Sequence, residues 1–198
     1  RVITSCILKQ ITYYLDIKPD NNSHGYQINK GFEGGYIFKP WLYLWLKFIS
    51  NITDAIENKT YKDFYIVKTD ISSFYDNISH DRLKRLLLGD GDSVITDKVE
   101  AMRSETSIRY KDCLNAIFNM TKEIVGNNKG LPQGPAYARF FAELYLSEID
   151  IDFKNKLSNS EILLYERYVD DIFFITKSKK EADEFLSTLT NKLEILNL

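Results

Sequence analysis

Apolar side chains recur along the chain in two rhythms, one helical and one alternating. Ile3, Ile7, Ile11 and Tyr14 form one stripe, so Ile3 to Leu15 reads as an amphipathic helix. Residues 18 to 36 carry Pro19, Asn21, Asn22, Gly25, Gly31, Gly34 and Gly35, which predicts loops and a short hairpin. From Pro40, a good first helical residue, Trp41, Leu44, Trp45, Phe48, Ile49, Ile52 and Ile56 predict a helix over about 40–57 with a broad buried face. Phe64 to Ile71 is β-branched and aromatic and predicts a buried strand that emerges at Asp70. Ser79 and Asp81 open a helix through Leu88 that ends at Gly89 and Gly91.

Thr96 to about Met120 reads as helix with one break, Ile124 to Pro135 as a Gly/Asn loop, and Ala136 to Lys156 as one long helix with Phe140, Leu144 and Ile149 inward. Leu163 to Tyr168 and Ile172 to Thr176 read as two strands of a tight hairpin. Ser178 with Glu181 forms a capping box, opening a helix that carries Ala182, Phe185, Leu186, Leu189 and Leu193. This order predicts an α+β fold, a small antiparallel sheet packed on helices along one face, with the other face free for a site.

Composition changes this picture little. The 198 residues are 44% apolar, 14% aromatic and 27% charged, which excludes a disordered tail or a collagen-like fibre. The most apolar stretch is interrupted by Lys39, Pro40 and Lys47, short of the roughly 18 apolar residues of a membrane span, so no membrane partner is expected. Two cysteines, Cys6 and Cys113, cannot build a disulfide framework and point to a reducing, cytoplasmic setting. The chain starts at Arg1 and stops within a helix-to-strand region, which reads as a piece of a longer protein. Net charge is −2, divided as +3 over residues 1–50 and −5 over the rest, so charge alone does not indicate a nucleic-acid partner.

The acids carry more. Asp70 lies where an apolar strand meets a loop, and Asp170 and Asp171 lie at a hairpin tip between apolar strands. A half-buried acid requires compensation. If the strands are neighbours, three carboxylates converge, and each pair about 4 Å apart repels by roughly 4 kcal/mol at an effective dielectric of about 20. Divalent cations resolve that repulsion. Oxygen ligands favour Mg²⁺, and two such ions about 3.5–4 Å apart suit nucleotidyl transfer.

Thr69-Asp70-Ile71-Ser72-Ser73-Phe74-Tyr75-Asp76, Gly130-Leu131-Pro132-Gln133-Gly134-Pro135 and Tyr168-Val169-Asp170-Asp171 occur in that order. They resemble motifs A, B and C of the reverse transcriptases. The resemblance implies a right-hand polymerase palm at 63–198 with a fingers-like region at 1–62, the thumb lying outside the chain. It implies a DNA polymerase that adds deoxynucleotides to a primer 3′-hydroxyl, with two Mg²⁺ ions, or Mn²⁺, held by Asp70, Asp170, Asp171 and the Ile71 carbonyl. It places Ile71, Ser72, Ser73, Phe74, Tyr75, Gln133 and Gly134 at the nucleotide, with Tyr75 under the sugar as a barrier to a 2′-hydroxyl.

Tyr75 also suits a core aromatic beside Phe74. Arg139 and Tyr168 are placed at nucleic acid, although Arg139 could equally pair with Glu143. Lys30, Lys39 and Arg1 are basic, but no motif assigns them to the triphosphate. Gly134-Pro135, Arg139 and Ala142-Glu143 are more similar to the bacterial defence-associated, abortive-infection-type members than to retroviral ones. That similarity implies an RNA template and/or DNA primer as partner, or untemplated or tyrosine-primed synthesis, for which Tyr13, Tyr14, Tyr26 and Tyr36 are conceivable primers although each better suits a packing aromatic. A second copy of the chain or a defence-system protein would be its companions. The competing reading is a non-catalytic scaffold that binds nucleic acid.

Overall fold

The computed structural model describes residues 2–15, 22–57, 63–88, 104–159 and 162–198. The turn formers Pro19 and Asn21, the turn expected at Gly89 and Gly91 and the helix start expected at Thr96 lie outside them. In order come α1 (Val2–Leu15), a 3-10 turn (Lys30–Gly35), α2 (Trp41–Glu57), β1 (Tyr65–Thr69), α3 (Phe74–Asn77), α4 (His80–Leu88) and α5 (Ser104–Val125). Then follow α6 (Ala136–Tyr145), α7 (Ser147–Ser158), β2 (Leu164–Tyr168), β3 (Asp171–Thr176) and α8 (Lys179–Ile195). The chain forms two compact units, residues 1–18, 28–37 and 75–145, and residues 19–27, 38–74 and 146–198.

The first unit is helical. α1 packs on α5 and α6. Its buried residues are Thr4, Leu8, Ile11, Thr12 and Leu15, whereas Ile3 is exposed, so the buried stripe is rotated from the expected one. α5 continues to Val125, past the expected start of the loop at Ile124. The Tyr110 hydroxyl donates to Leu87 O at 2.6 Å and so ties α5 to the end of α4. Beyond α5 the chain runs back along residues 75–80: Gly130 N–H bonds Ile78 O and Leu131 N–H bonds Tyr75 O, both at 2.8 Å. Gly130 has φ +88°, and a Cβ there would lie 3.3 Å from Asp76 O, so this close approach needs glycine.

In the second unit the described strands form one antiparallel sheet in the order β1-β3-β2. Tyr165 and Val67 both pair with Phe174, and Arg167 and Thr69 both pair with Ile172. One face is an aromatic core in which Phe153 of α7 stacks on Tyr165 at 4.9 Å and Phe185 of α8 meets Phe174. The opposite face is not left free. Glu166 and Tyr168 alternate onto it and engage Asn51 and Trp45 of α2. Helices therefore cover both faces at β2.

Three further expectations are corrected. β1 is an edge strand, with Tyr65 and Ile66 about half exposed (45% and 46%), because β3 pairs with one of its sides and no described strand with the other. The long helix expected from Ala136 is two helices divided at Leu146, where Ile149 N–H bonds Leu146 O. Tyr145 and Ile149, on either side of the tightened turn, are both fully buried. On α2 only Leu44 and Phe48 are buried; Trp41, Leu42, Tyr43, Leu46, Ile49 and Ile56 are exposed. Helical periodicity marks an apolar face without saying what covers it.

Candidate active site

β2 and β3 meet in a two-residue turn, Val169-Asp170, closed by the Tyr168 and Asp171 pair. Val169 has φ +59°, a left-handed conformation that a β-branched residue adopts only at a cost of about 1–2 kcal/mol. On the other side of β3, Thr69 pairs with Ile172, so the next residue, Asp70, comes level with Asp171. Sheet register thus gathers three acids from segments a hundred positions apart.

Asp70 is exposed, and Asp170 and Asp171 are half-buried. Burial pushes the Asp170 carboxyl above its ordinary range; its own backbone hydrogen bond and Arg167 oppose the shift, while the negative charges of Asp70 and Asp171 add to it. Lys68, two residues before Asp70, places Nζ 3.2 Å from Asp171 Oδ1. Among the described residues no three His, Cys or acidic side chains are already drawn into a metal-holding group. The acids are neighbours with coupled charge, and one is engaged by a lysine.

Two buried polar networks support the hairpin, and neither was anticipated from the sequence. Arg167, fully buried, donates from Nε to Asp150 Oδ1 at 2.7 Å, from Nη2 to Asp150 Oδ2 at 2.5 Å and Ser23 Oγ at 2.9 Å, and from Nη1 to Val169 O at 2.7 Å. The Tyr165 hydroxyl donates to Asp150 Oδ1 at 2.7 Å. On the α2 side, Glu166 bonds the His24 imidazole and accepts from Asn51 Nδ2 at 2.9 Å. The available signal was a Glu-Arg pair inside an otherwise apolar strand, since such charges stay buried only when paired. Residues 22–24 run beside β2, with Arg167 N–H bonding Asn22 O and His24 N–H bonding Arg167 O, both at 2.8 Å.

The remaining predicted residues divide between the units. Tyr168 is half-buried, edge-on to Trp45 at 4.9 Å and near Phe48 at 5.9 Å. Its hydroxyl is pushed up, first by burial and then by Tyr26. Ile71 and Phe74 bury their side chains at 4% and 3% exposure, which leaves main chain for any ligand contact. Ser72 and Ser73 are exposed, Ser73 with φ +52°. In the helical unit Tyr75 is half-buried and tied through its carbonyl to Leu131, while Gln133 and Gly134 are exposed just before α6. Gly134 has φ +108°, and Arg139 lies half-buried in the first turns of α6.

A family model described as reverse transcriptase (RNA-dependent DNA polymerase) matches residues 39–198. Among solved structures, apo telomerase from Candida tropicalis truncated from its C-terminal domain is similar, at TM-score 0.57 and 17% identity over 98% of this chain and 38% of that one. Apo telomerase from Candida tropicalis matches at TM-score 0.56 and 17% identity, over 98% of this chain and 34% of that one. Telomerase from Candida albicans in complex with a fragment of telomeric RNA matches at 0.53 and 16%, over 97% of this chain and 33% of that one. At these identities the likeness is one of fold, and this chain spans about a third of the length of each. No curated protein matches it.

Proposed function

The chain belongs to the reverse transcriptase (RNA-dependent DNA polymerase) family, and from that premise we propose that it carries the catalytic palm of a polymerase joining deoxynucleoside triphosphates to a primer 3′-hydroxyl. In this reading residues 63–198 act as palm and residues 1–62 as a fingers-like region. The observation that carries it is the register that sets Asp70 beside Asp171 across β1 and β3, with Asp170 coupled electrostatically to both.

The donor set is all oxygen, and Lys68 and Arg167 offset the repulsion among the three acids only in part, which suits a hard divalent cation. Asp70 and Asp170 would hold two Mg²⁺ or Mn²⁺ ions, with the Ile71 carbonyl as a further ligand and Asp171 assisting or orienting its neighbour. Bound there, such ions activate the attacking hydroxyl and stabilise the leaving pyrophosphate. Lys68 keeps Asp171 partly neutralised. The main chain of Ser72, Ser73 and Phe74 faces the triphosphate, Tyr75 lies under the sugar, and the Gln133-Gly134 turn admits the base pair closely because Gly134 carries no side chain. Arg139 and Tyr168 contact the template or primer strand. Gly134-Pro135, Arg139 and Ala142-Glu143 support placement among bacterial antiphage reverse transcriptases.

In the whole protein, Asp70→Asn or Asp170→Asn abolishes divalent-metal-dependent incorporation of labelled deoxynucleotides. Retained incorporation by either folded variant overturns the assignment of these acids as metal ligands, whereas no incorporation by the unmutated protein leaves the nucleic-acid-binding scaffold in its place.

A further inference from the structure

Arg167 precedes the Tyr-Val-Asp-Asp hairpin and is not one of the acids of the site, yet its guanidinium is the group that reaches the turn. Val169 O belongs to the peptide that joins Val169 to Asp170, and Nη1 donates to it at 2.7 Å. The orientation of that peptide sets where the Asp170 side chain begins. A valine at φ +59° holds its conformation only where its surroundings impose it. Arg167 has the means to impose it: Asp150 takes the guanidinium in a two-pronged grip and Ser23 Oγ takes a second Nη2 hydrogen. Asp150 is itself 3% exposed and held by Tyr165. The backbone of Arg167 is pinned as well, between Asn22 O and His24 N–H. Anchored on three sides, the guanidinium acts as a fixed strut rather than a mobile cation.

We infer that Arg167 is a positioning residue for Asp170, a strut between Asp150, Ser23 and the Val169 carbonyl that keeps the left-handed turn in the geometry the metal-binding acids need. The inference rests on the reading of Asp70 and Asp170 as metal ligands. Lysine at 167 keeps the charge but offers no planar fork, so it cannot grip Asp150 and the turn carbonyl together.

The test uses the whole protein and Mn²⁺ alone as probe, with bound ion read by electron paramagnetic resonance and folding by circular dichroism and melting. Arg167→Lys should fold and bind Mn²⁺ about tenfold more weakly, as expected when one strained residue relaxes. Val169→Gly, which can take positive φ freely, should restore most of that affinity in the Arg167→Lys background. A purely structural arginine would lower the melting temperature without coupling to residue 169.

Wild-type Mn²⁺ affinity in folded Arg167→Lys, or a loss that Val169→Gly leaves untouched, overturns the inference. If Arg167→Lys does not fold, Ser23→Ala, which keeps the Asp150 grip, decides. It should weaken Mn²⁺ by about threefold, in keeping with one lost hydrogen bond, and no change would sink the idea. Asp170→Asn runs beside them. Should it bind Mn²⁺ as the wild type does, the metal reading fails, whereas its loss together with an unaffected Arg167→Lys condemns only the strut.

Discussion

Single side chains carry the strongest claims about chemistry here. Tyr75 is half-buried at the end of the motif A segment, and its carbonyl is tied to Leu131 just ahead of Gln133 and Gly134. If its ring lies under the sugar, Tyr75→Ala raises incorporation of ribonucleotides relative to deoxynucleotides, measured as the ratio of kcat/KM values. An unchanged ratio returns Tyr75 to an ordinary packing role. Gly130 tests the backbone below that surface. Alanine there must keep φ +88° and bring Cβ to 3.3 Å from Asp76 O, so Gly130→Ala lowers stability by about 1–2 kcal/mol. Urea denaturation reads this as a lower midpoint at unchanged slope.

Elements gain or lose their expected roles according to what caps and covers them. α8 begins at a reciprocal capping box, in which Ser178 Oγ accepts from Glu181 N–H and Glu181 accepts from the Ser178 backbone. It lays Ala182, Phe185 and Leu189 on the sheet. Ser178→Ala removes one of these bonds from an otherwise unchanged helix and costs about 1 kcal/mol, seen as a lower unfolding midpoint with the helical circular-dichroism signal retained. α2 behaves differently. Its apolar positions outnumber those the sheet can cover, and Asn51, a polar residue on the same stripe as Leu44 and Phe48, reaches buried Glu166. α6 and α7 show the converse: continuous periodicity hides a break at Leu146, with α6 in one compact unit and α7 in the other.

Across the chain, the site's electrostatics should register in global stability. Three neighbouring carboxylates favour any state that brings a divalent cation between them. Mg²⁺ at ten times its dissociation constant therefore raises unfolding stability by about 1.4 kcal/mol. EDTA reverses the shift, and Asp170→Asn abolishes it. A wild-type melting temperature indifferent to Mg²⁺ at every concentration would contradict the proposed metal site.

Most of the described element types and their order, the capping box at Ser178 and the three acids were legible in the residue order, because periodicity, caps and turn motifs act between positions a few residues apart. Folding settled the rest: the rotated face of α1, the open face of α2, the division at Leu146, the edge position of β1 and the support beneath the hairpin. Those depend on partners far apart in the chain, with Ser23 and Arg167 144 positions apart and His24 and Glu166 142 apart. No local pattern encodes which distant surface will arrive to cover an apolar face or neutralise a buried charge. Only packing in three dimensions brings those partners into contact.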